Sequence, residues 1–345
     1  YPALTIARAL RAKNYRVLLC TDKRGVRFVE NTDISYRVVQ SAPMRKGLIG
    51  KISTLLLLGI GYLQSHILFL FDKPAVIVGL GGYPSFPPVI AAAHRQIPVV
   101  LHEQNALFGR AQRMLHAYAK KICLSFPQTK MLQGIPEEKL QVTGLPLRPE
   151  IMAISDHPYT LPQGDEKLRI LITGGSLASA LFGDTIPLAM AQLAPELQDK
   201  IHVVQQCRAE QAEMIRQFYT HHRISSDVQT YLHDMPDQLR LAHLFIGRAG
   251  ASTVTEMAVA GLPAIFIPLA VSLDGDQAAN AEHIVKAGGG WILPEKDFSP
   301  ESLAAMLSDI INQPTQLISM ASTMKTLGRA DATERLTQTI IEAMA

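Results

Sequence analysis

Short apolar segments alternate with longer amphipathic segments along most of the 345-residue chain. The short segments are typical of buried strands, and the periodicity between them is helical. Strands that alternate with helices predict parallel sheets joined by crossover helices, so we expect an α/β fold with two doubly wound domains. The predicted strands cover residues 16–20, 75–78, 99–102, 121–124 and 140–143 in the first half, and 168–173, 202–206, 244–246, 264–268 and 290–293 in the second.

A proline-rich segment without periodicity, residues 146–162, separates the two series of strands. It predicts a first domain over residues 1–150 and a second over residues 151–330. A last helix over residues 331–345 is expected to pack back toward the first domain. Because α/β domains commonly place a strand and a loop before a helix such as the one that starts at Pro2, we also expect that a first strand and loop precede the given sequence.

One segment of the first half combines high hydrophobicity with basic flanks. Residues 52–71 are nearly all apolar, and Arg45, Lys46, Lys51 and Lys73 lie on either side of them. Polar residues and glycines interrupt the segment and a strand follows at once, so a membrane span would split the domain. We predict an amphipathic helix whose apolar side rests on an anionic bilayer; the alternative is a wholly buried helix.

Charge is distributed unevenly between the two halves. Residues 1–150 carry 20 Lys and Arg against 8 Asp and Glu, whereas residues 151–345 carry 13 against 22. A basic half favours nucleic acid or an anionic membrane, and the apolar segment within it favours the membrane, so no nucleic-acid partner is expected. Cys20, Cys123 and Cys207 lack metal-ligand spacing, which indicates buried thiols of a cytoplasmic protein.

Two glycine-containing turns follow strands of the predicted second sheet. Gly174-Gly175-Ser176 follows one strand, and residues 247–256 follow another and lead into a helix. Free N–H groups at a helix start attract anions, so two such turns at one sheet edge predict a diphosphate site. Glu256 could accept hydrogen bonds from a ribose. The alternative is that Thr253 and Glu256 form a capping box, with a structural role alone.

The first half places a third glycine turn, residues 79–82, after a predicted strand, and His102-Glu103-Gln104-Asn105 after the next. Titratable and amide side chains at this sheet edge are typical of a ligand site, although Asn105 could simply cap a loop. The sequence contains no Walker loop, Ser-His-Asp elbow or zinc cluster. We interpret Asp274-Gly275-Asp276 as a loop and expect no metal site.

Six motifs together resemble those of the MurG family, in the same order and spacing. They are Gly79-Leu80-Gly81-Gly82-Tyr83, His102-Glu103-Gln104-Asn105-Ala106, Gly144-Leu145-Pro146-Leu147-Arg148, Gly174-Gly175-Ser176, residues 248–256 and Gln277-x-x-Asn280. The resemblance extends over almost the whole chain and implies a GT-B fold, with two Rossmann-like domains and an active site in the cleft between them. It implies transfer of N-acetylglucosamine from UDP-N-acetylglucosamine to the C4 hydroxyl of lipid I, the undecaprenyl-diphosphate-linked muramoyl pentapeptide, with inversion.

The resemblance also implies a peripheral location on the cytoplasmic face of the bacterial inner membrane, no fixed cofactor or metal, and roles for individual residues. Glu256 would bind the ribose and Leu232 would read the uracil through its backbone. Gln277 would read the sugar hydroxyls. The remaining implied donor contacts are Asn105, Arg148, Ser176, Gly250, Ala251, Ser252, Thr253, Val254 and Thr255. The implied acceptor-side loop comprises Gly81, Gly82 and Tyr83.

The sequence departs from the family at two places. Family members carry a Gly-Gly-Thr-Gly-Gly-His loop immediately before the helix that begins here at Tyr1, and that loop supplies a favoured candidate base. His102 and Glu103 are the remaining titratable candidates for the base. Residues 177–179 replace the family's Gln-Gly-Ala, which predicts weaker donor binding. The alternatives are a catalytically impaired fragment that binds UDP-sugar and another GT-B enzyme, such as a UDP-N-acetylglucosamine 2-epimerase.

Overall fold

A computed structural model describes residues 2–43, 47–175, 179–270 and 275–345. The chain divides into two compact units, which we call unit 1 (residues 1–148 and 331–345) and unit 2 (residues 149–330). Every strand pairing in the described residues is parallel, as expected for strands connected by helices. The α/β class predicted from the alternating pattern is therefore confirmed.

The strands are β1 (Leu19–Thr21), β2 (Tyr36–Val38), β3 (Ile77–Gly79), β4 (Val99–Glu103), β5 (Lys121–Leu124), β6 (Leu140–Val142), β7 (Leu168–Thr173), β8 (Ile201–Gln206), β9 (Ser226–Gln229), β10 (Leu244–Gly247), β11 (Ala264–Phe266) and β12 (Gly290–Ile292). The helices are α1 (Pro2–Ala12), α2 (Leu48–Phe71), α3 (Phe86–His94), α4 (Arg110–Leu115), α5 (Pro149–Met152), α6 (Ala180–Ala191), α7 (Pro195–Gln198), α8 (Ala209–His221), α9 (Met235–Leu241), α10 (Ala251–Ala260), α11 (Asp276–Ala287), α12 (Pro300–Asn312), α13 (Gln316–Leu327) and α14 (Ala332–Met344).

All ten predicted strand segments contain a strand, but the sequence pattern missed β2 and β9. Both strands lie at the edge of their sheets. An edge strand exposes one side to water and carries polar residues, so its sequence lacks the continuous apolar run of a central parallel strand. β9 reads Ser-Asp-Val-Gln, with Val228 as its single buried residue.

Unit 1 contains a four-stranded sheet of order β3-β4-β5-β6 and a separate pair, β1-β2. A cavity of about 590 Å³ is lined by residues of both β1 and β3, together with apolar residues of α1 and α14. The helix α14 packs on α1 through Leu336 and Ile340, which share a buried cluster with Ile6 and Leu10. The last residues of the chain thus belong to unit 1.

Helix α2 buries a narrow face of mostly small residues and exposes most of its large apolar ones. Thr54, Gly61, Ser65 and Phe69 form the buried face. A Cβ atom on Gly61 would lie 2.0 Å from the carbonyl oxygen of Gln40, so the helix can approach the rest of the unit closely only because this residue is glycine. The exposed face carries Leu48, Ile49, Ile52, Leu55, Leu56, Ile60, Leu63, Ile67, Leu70 and Phe71.

This arrangement contradicts the alternative of a wholly buried helix, because Ile49 is 85% and Phe71 88% exposed. By length and composition alone α2 could cross a membrane. Only 22% of its most apolar window is buried inside the protein. The flanking Arg45 and Lys46 lie outside the described residues.

Unit 2 is a six-stranded sheet of order β12-β11-β10-β7-β8-β9. Its first strand, β7, pairs with β8 on one side and with β10 on the other. The chain therefore adds strands outward in one direction and then returns to add strands in the other, which is the doubly wound topology with a switch point between β7 and β10. One buried cluster, including Ile170, Phe182 and Ile246, joins the sheet to its helices.

Candidate functional site

The switch point of unit 2 forms the candidate donor site. Two neighbouring strands, β7 and β10, end at the same sheet edge, where Thr173 pairs in register with Gly247. From this point the chain leaves β7 toward α6 and leaves β10 toward α10, in a sheet whose crossovers go in opposite directions from the switch point. Open α/β sheets bind ligands in the crevice that this divergence creates.

The two strand ends approach each other closely because of Gly247. A Cβ atom at this position would lie 2.6 Å from the carbonyl oxygen of Thr173 and 2.4 Å from the ring of Phe245. Both distances are shorter than real Cβ contacts, so any side chain would push the strand ends apart. The sequence singled out this glycine as part of a turn, whereas the structure places it in the last position of a buried strand.

The turn after β7 begins with Gly174 and Gly175. The backbone N–H of Gly175 donates to Oγ1 of Thr173 at 3.1 Å, and this hydroxyl donates to Oε1 of Gln206 at 2.5 Å. The Gln206 side chain of β8 thus fixes the start of the turn through the Thr173 hydroxyl. Ser176, which the family resemblance assigns to the donor phosphates, lies outside the described residues, as do Leu177 and Ala178.

The turn after β10 leads directly into α10, whose cap residue is Gly250. The first helical hydrogen bond runs from Val254 N–H to the Gly250 carbonyl at 2.9 Å. The N–H groups of Ala251, Ser252 and Thr253 precede this bond, so they point out of the helix start, where the helix dipole also favours an anion. Val254 and Thr255 are buried and support the helix from within.

The helix start contradicts the capping-box alternative for Glu256. A capping box needs its hydroxyl residue at the cap position, yet Thr253 is the third residue of α10 and no side chain caps this helix. Glu256 is therefore the sixth residue of the helix and partly exposed, beyond the turn in which a carboxylate could reach back to the cap. The position leaves a ligand role for Glu256 as a prediction.

The polar cluster near residue 280 holds this turn in place. Asn280, fully buried in α11, donates from Nδ2 to the Ala249 carbonyl at 3.1 Å. Gln277 accepts the backbone N–H of Leu269 at 3.0 Å through Oε1, which fixes the segment after β11. One face of Gln277 remains partly exposed. The sequence indicated a polar cluster but gave no sign that Asn280 supports the turn after β10.

Leu232 lies after β9, at the far side of the same sheet. Its side chain is buried, and the neighbouring Thr230 carbonyl accepts from Nε2 of Gln206 at 3.4 Å. Leu232 itself belongs to no strand or helix. Gln206 therefore joins the segment that precedes Leu232 to the end of β7.

In unit 1 a second group of predicted residues gathers at the carboxyl ends of β3 and β4. Gly81 and Gly82 have φ angles of 81° and 69°, which glycine adopts without strain, and Tyr83 starts a short 3-10 helix. The amide of Gln104 donates to the Leu80 carbonyl at 2.8 Å. The residue before the predicted acceptor-side loop is thus hydrogen-bonded to the segment after β4.

Gln112 strengthens this connection and was missed by sequence reasoning. Its side chain in α4 is 1% exposed, and Nε2 donates to the carbonyls of His102 at 2.8 Å and Gly79 at 3.5 Å. Its Oε1 has no hydrogen-bond partner among the described residues. Gln112 lies three positions before the apolar Leu115, on the same helix face, and this position was the signal that could have identified it.

His102 is fully buried and holds another loop. Its Nε2 lies 3.0 Å from the Gly144 carbonyl, which only accepts, so this nitrogen carries a hydrogen. Burial lowers the pKa of His102 from its ordinary 6.5 to about 4, and the hydrogen bond to Gly144 raises it by less. The ring connects the end of β4 to the Gly144–Arg148 segment.

Glu103 organises the loop that follows it. Oε1 accepts from the Asn105 backbone N–H at 2.9 Å and Oε2 from the Gly109 N–H at 2.8 Å. Burial raises the pKa of Glu103, whereas these backbone hydrogen bonds lower it. His102 and Glu103, the two candidate bases, are 0% and 4% exposed, so in this structure neither presents a basic atom to solvent.

Two further predicted donor contacts lie at the surface of unit 1. Asn105 is partly exposed, with its backbone N–H held by Glu103. Arg148, also partly exposed, is the last residue of the unit before unit 2 begins. No group of three or more His, Cys, Asp or Glu that could hold a metal occurs within residues 2–43, 47–175, 179–270 and 275–345.

Two protein-family profiles match the chain. "Glycosyltransferase family 28 N-terminal domain" matches residues 1–124, and "Glycosyltransferase family 28 C-terminal domain" matches residues 169–336. Each match lies mostly within one structural unit. The chain is thus a glycosyltransferase by both of its domains.

Individual relatives agree with these matches. The UDP-N-acetylglucosamine–N-acetylmuramyl-(pentapeptide) pyrophosphoryl-undecaprenol N-acetylglucosamine transferase of Rhodospirillum centenum is 41% identical over 344 residues, which cover 99% of this chain and 91% of the relative. The crystal structure of Acinetobacter baumannii MurG is similar with a TM-score of 0.83 and 27% identity, over 99% of this chain and 95% of that one.

A UDP-GlcNAc 2-epimerase from Neisseria meningitidis has a TM-score of 0.62 at 14% identity, over 94% of this chain and 99% of that one, which shows a common fold alone. The GT-B class with two Rossmann-like domains is confirmed by these similarities. Together with the 41% identity over nearly the full length, they establish that this chain belongs to the MurG family of glycosyltransferases.

Proposed function

We propose that this protein transfers N-acetylglucosamine from UDP-N-acetylglucosamine to the C4 hydroxyl of lipid I and so forms lipid II for peptidoglycan. The observation that carries the proposal is the switch point of unit 2, where Gly174-Gly175 and the start of α10 lie at the ends of two adjacent strands. The outward N–H groups at the start of α10, beside a second glycine turn at the same sheet edge, suit a diphosphate. The printed name of the R. centenum relative, at 41% identity, supplies the substrates.

The donor would lie along the carboxyl edge of the unit 2 sheet. The N–H groups of residues 251–253 would bind the diphosphate, together with the turn that contains Ser176. Glu256, in the second turn of α10, would accept hydrogen bonds from the ribose diol. The Leu232 backbone would read the uracil, and the free side of Gln277 would read hydroxyls of the sugar. Asn105 and Arg148 stay predicted donor contacts.

The chemical step needs charge stabilisation on the donor and removal of one proton from the acceptor. The acceptor oxygen would form a bond to C1 of the sugar from the face opposite UDP, while the bond from C1 to the phosphate oxygen breaks. The amides at the helix start would stabilise the negative charge that develops on UDP, without a fixed metal. The hydroxyl proton passes to a base that we leave unassigned, since His102 and Glu103 are both buried.

Unit 1 would receive the lipid-linked acceptor. The exposed apolar face of α2 offers a continuous row of large side chains for a bilayer, in a half of the chain that is rich in Lys and Arg. Such a face favours peripheral attachment to an anionic membrane, here the cytoplasmic face of the inner membrane. Tyr83 and the two glycines before it would form the acceptor-side loop.

The proposal is tested by incubating the protein with UDP-N-acetylglucosamine and a lipid I analogue in the presence of a metal chelator. We expect one disaccharide product and one UDP per turnover. UDP binding without transfer would instead support the catalytically impaired fragment. Conversion of the donor sugar to its 2-epimer without any acceptor would support the epimerase alternative.

A further inference from the structure

Arg248 connects segments that follow four different strands of unit 2. It is the first residue after β10, two positions before the cap of α10. Its Nη1 donates to the Ile267 carbonyl at 3.1 Å and to Oε2 of Glu295 at 2.9 Å, and its Nη2 donates to Oγ of Ser179 at 3.3 Å. These partners follow β11, β12 and β7 respectively.

The guanidinium is almost enclosed by these contacts. Its side chain is 11% exposed, and Cζ lies 5.0 Å from the ring centroid of the fully buried Phe182. A guanidinium in such a place loses most of its hydration, so it needs a charged partner and satisfied N–H groups. The described contacts supply a single carboxylate, that of Glu295.

Glu295 makes a second contact through the same oxygen atom. Oε2 accepts the backbone N–H of Ala270 at 2.9 Å in addition to the Arg248 hydrogen bond. The Glu295 side chain is 25% exposed, so the ion pair is only partly screened by water. One carboxylate oxygen therefore joins the segments after β10, β11 and β12.

We propose that Glu295 is a positioning residue of the donor site, a role that rests on the proposed binding of the UDP diphosphate at α10. The outward N–H groups of α10 begin three residues after Arg248, so their direction depends on how firmly this arginine is held. Removal of the carboxylate leaves the enclosed Arg248 without its charged partner and the Ala270 N–H without its acceptor. Both segments then relax, and the amides no longer converge on the diphosphate.

The expected consequence is a weaker donor site with an intact reaction centre. We expect Glu295→Ala to weaken UDP binding about tenfold and to raise the donor KM by a similar factor. The loss of a hydrogen bond to a charged group typically lowers affinity by about tenfold or more. The acceptor KM and kcat should change by less than about threefold. Glu295→Gln retains an oxygen that can accept from both donors but loses the charge, so its UDP affinity should lie between those of the unmodified protein and Glu295→Ala.

The test combines calorimetry of UDP binding with hydrogen exchange of the backbone amides in the free protein. Glu295→Ala should accelerate exchange in residues 248–256 and 267–270 while strands β7 and β8 keep their protection. Glu301→Ala serves as the matched control, since it removes an exposed carboxylate six residues further along the chain. The control should match the unmodified protein in both measurements.

Unchanged UDP affinity and unchanged exchange in Glu295→Ala would overturn the proposal. Tighter UDP binding would overturn it too, because it would mean that the carboxylate only neutralises an arginine that could bind the diphosphate itself. A glutamine variant no better than alanine would exclude the shared acceptor as the cause. If the unmodified protein does not bind UDP, the proposed function fails, whereas the exchange measurement still reports whether Glu295 orders these segments.

Discussion

The side-chain amide of Asn280 donates to the carbonyl oxygen of Ala249 at 3.1 Å, from a position in α11 that has no contact with water. Ala249 is the residue before the cap of α10, so a helix that follows a different strand fixes the turn that leads to the predicted diphosphate site. The bond lies within unit 2 and carries a direct prediction.

We expect Asn280→Ala to lower the free energy of unfolding by about 1–3 kcal/mol, since it leaves a buried carbonyl without its donor. UDP binding should weaken as well, because the turn loses its support. Urea unfolding and calorimetry would measure the two effects. Gln338→Ala, which removes an exposed amide from α14, is the control and should change neither. Full UDP affinity in Asn280→Ala would show that the turn holds its shape alone.

Replacement of Glu256 by alanine should separate ligand binding from helix stability. We expect UDP affinity to fall about tenfold to a hundredfold, as for the loss of one or two hydrogen bonds to a carboxylate. The free energy of unfolding should change by less than about 0.5 kcal/mol, since Glu256 does not cap α10. A less stable protein with unchanged UDP affinity would contradict the ribose role. The UDP affinity of Glu256→Gln should lie between those of the unmodified protein and Glu256→Ala.

His102 predicts a dependence of stability on pH. Because burial lowers its pKa to about 4, the folded state holds a neutral ring while the unfolded chain takes up a proton below its ordinary pKa of 6.5. The contribution of the neutral His102 ring to the free energy of unfolding is fully present above pH 6.5 and is lost as the pH falls toward 4. The difference between the two pKa values corresponds to about 3 kcal/mol of folding stability.

The measurement compares unfolding by urea at about pH 7.5 and about pH 4.5, where His102→Gln should lose about 2–3 kcal/mol less than the unmodified protein. The comparison between variants is needed because burial also lowers the pKa of His202, His243 and His283. Equal losses in both proteins would mean that His102 is not the group that titrates.

The exposed face of α2 predicts membrane binding that depends on apolar contact. We expect Ile49→Asn combined with Leu56→Asn to reduce sedimentation with phosphatidylglycerol vesicles several-fold, without loss of UDP binding, because each change removes apolar area from the bilayer. Ile318→Asn, a similar change in an exposed residue of unit 2, is the control. Vesicle binding that is indifferent to both anionic lipid and these substitutions would exclude the role of α2.

Gln112 predicts a stability effect centred on the acceptor-side loop. Gln112→Leu keeps the volume but removes the donor to the His102 and Gly79 carbonyls, so we expect a loss of about 1–3 kcal/mol and faster amide exchange in residues 80–85. Gln128→Leu changes an exposed glutamine of the same unit and should be nearly neutral. A neutral Gln112→Leu would mean that the Gln104 bond alone holds the loop.

The central strands could be predicted because a strand buried on both faces must be apolar throughout. Segments such as residues 168–173 and 121–124 are therefore visible in the sequence, and their predicted bounds agree with β7 and β5. The edge strands β2 and β9 were not visible, since exposure allows them polar residues. Glycine turns at strand ends likewise indicated where ligands could bind, before any strand order was known.

The strand order was beyond the sequence, and it decides which turns become neighbours. Gly174 and Gly250 lie 76 positions apart and approach each other only because β7 pairs with β10. The structure also decided which titratable side chains are buried. By residue type, His102 and Glu103 were both candidates for the base, yet the fold encloses both and uses them as hydrogen-bond partners of nearby loops.

By itself the sequence determined the α/β class, the central strands and the family, because burial patterns and local motifs are properties of short segments. Only the tertiary structure decided that Thr253 cannot cap α10, that α2 turns its leucines outward, and that Asn280 and Glu295 are hydrogen-bonded to the segments after β10 and β11. The hydrogen bonds of Asn280 and Glu295 join residues that are far apart in the chain, and such contacts form only when the sheet is assembled.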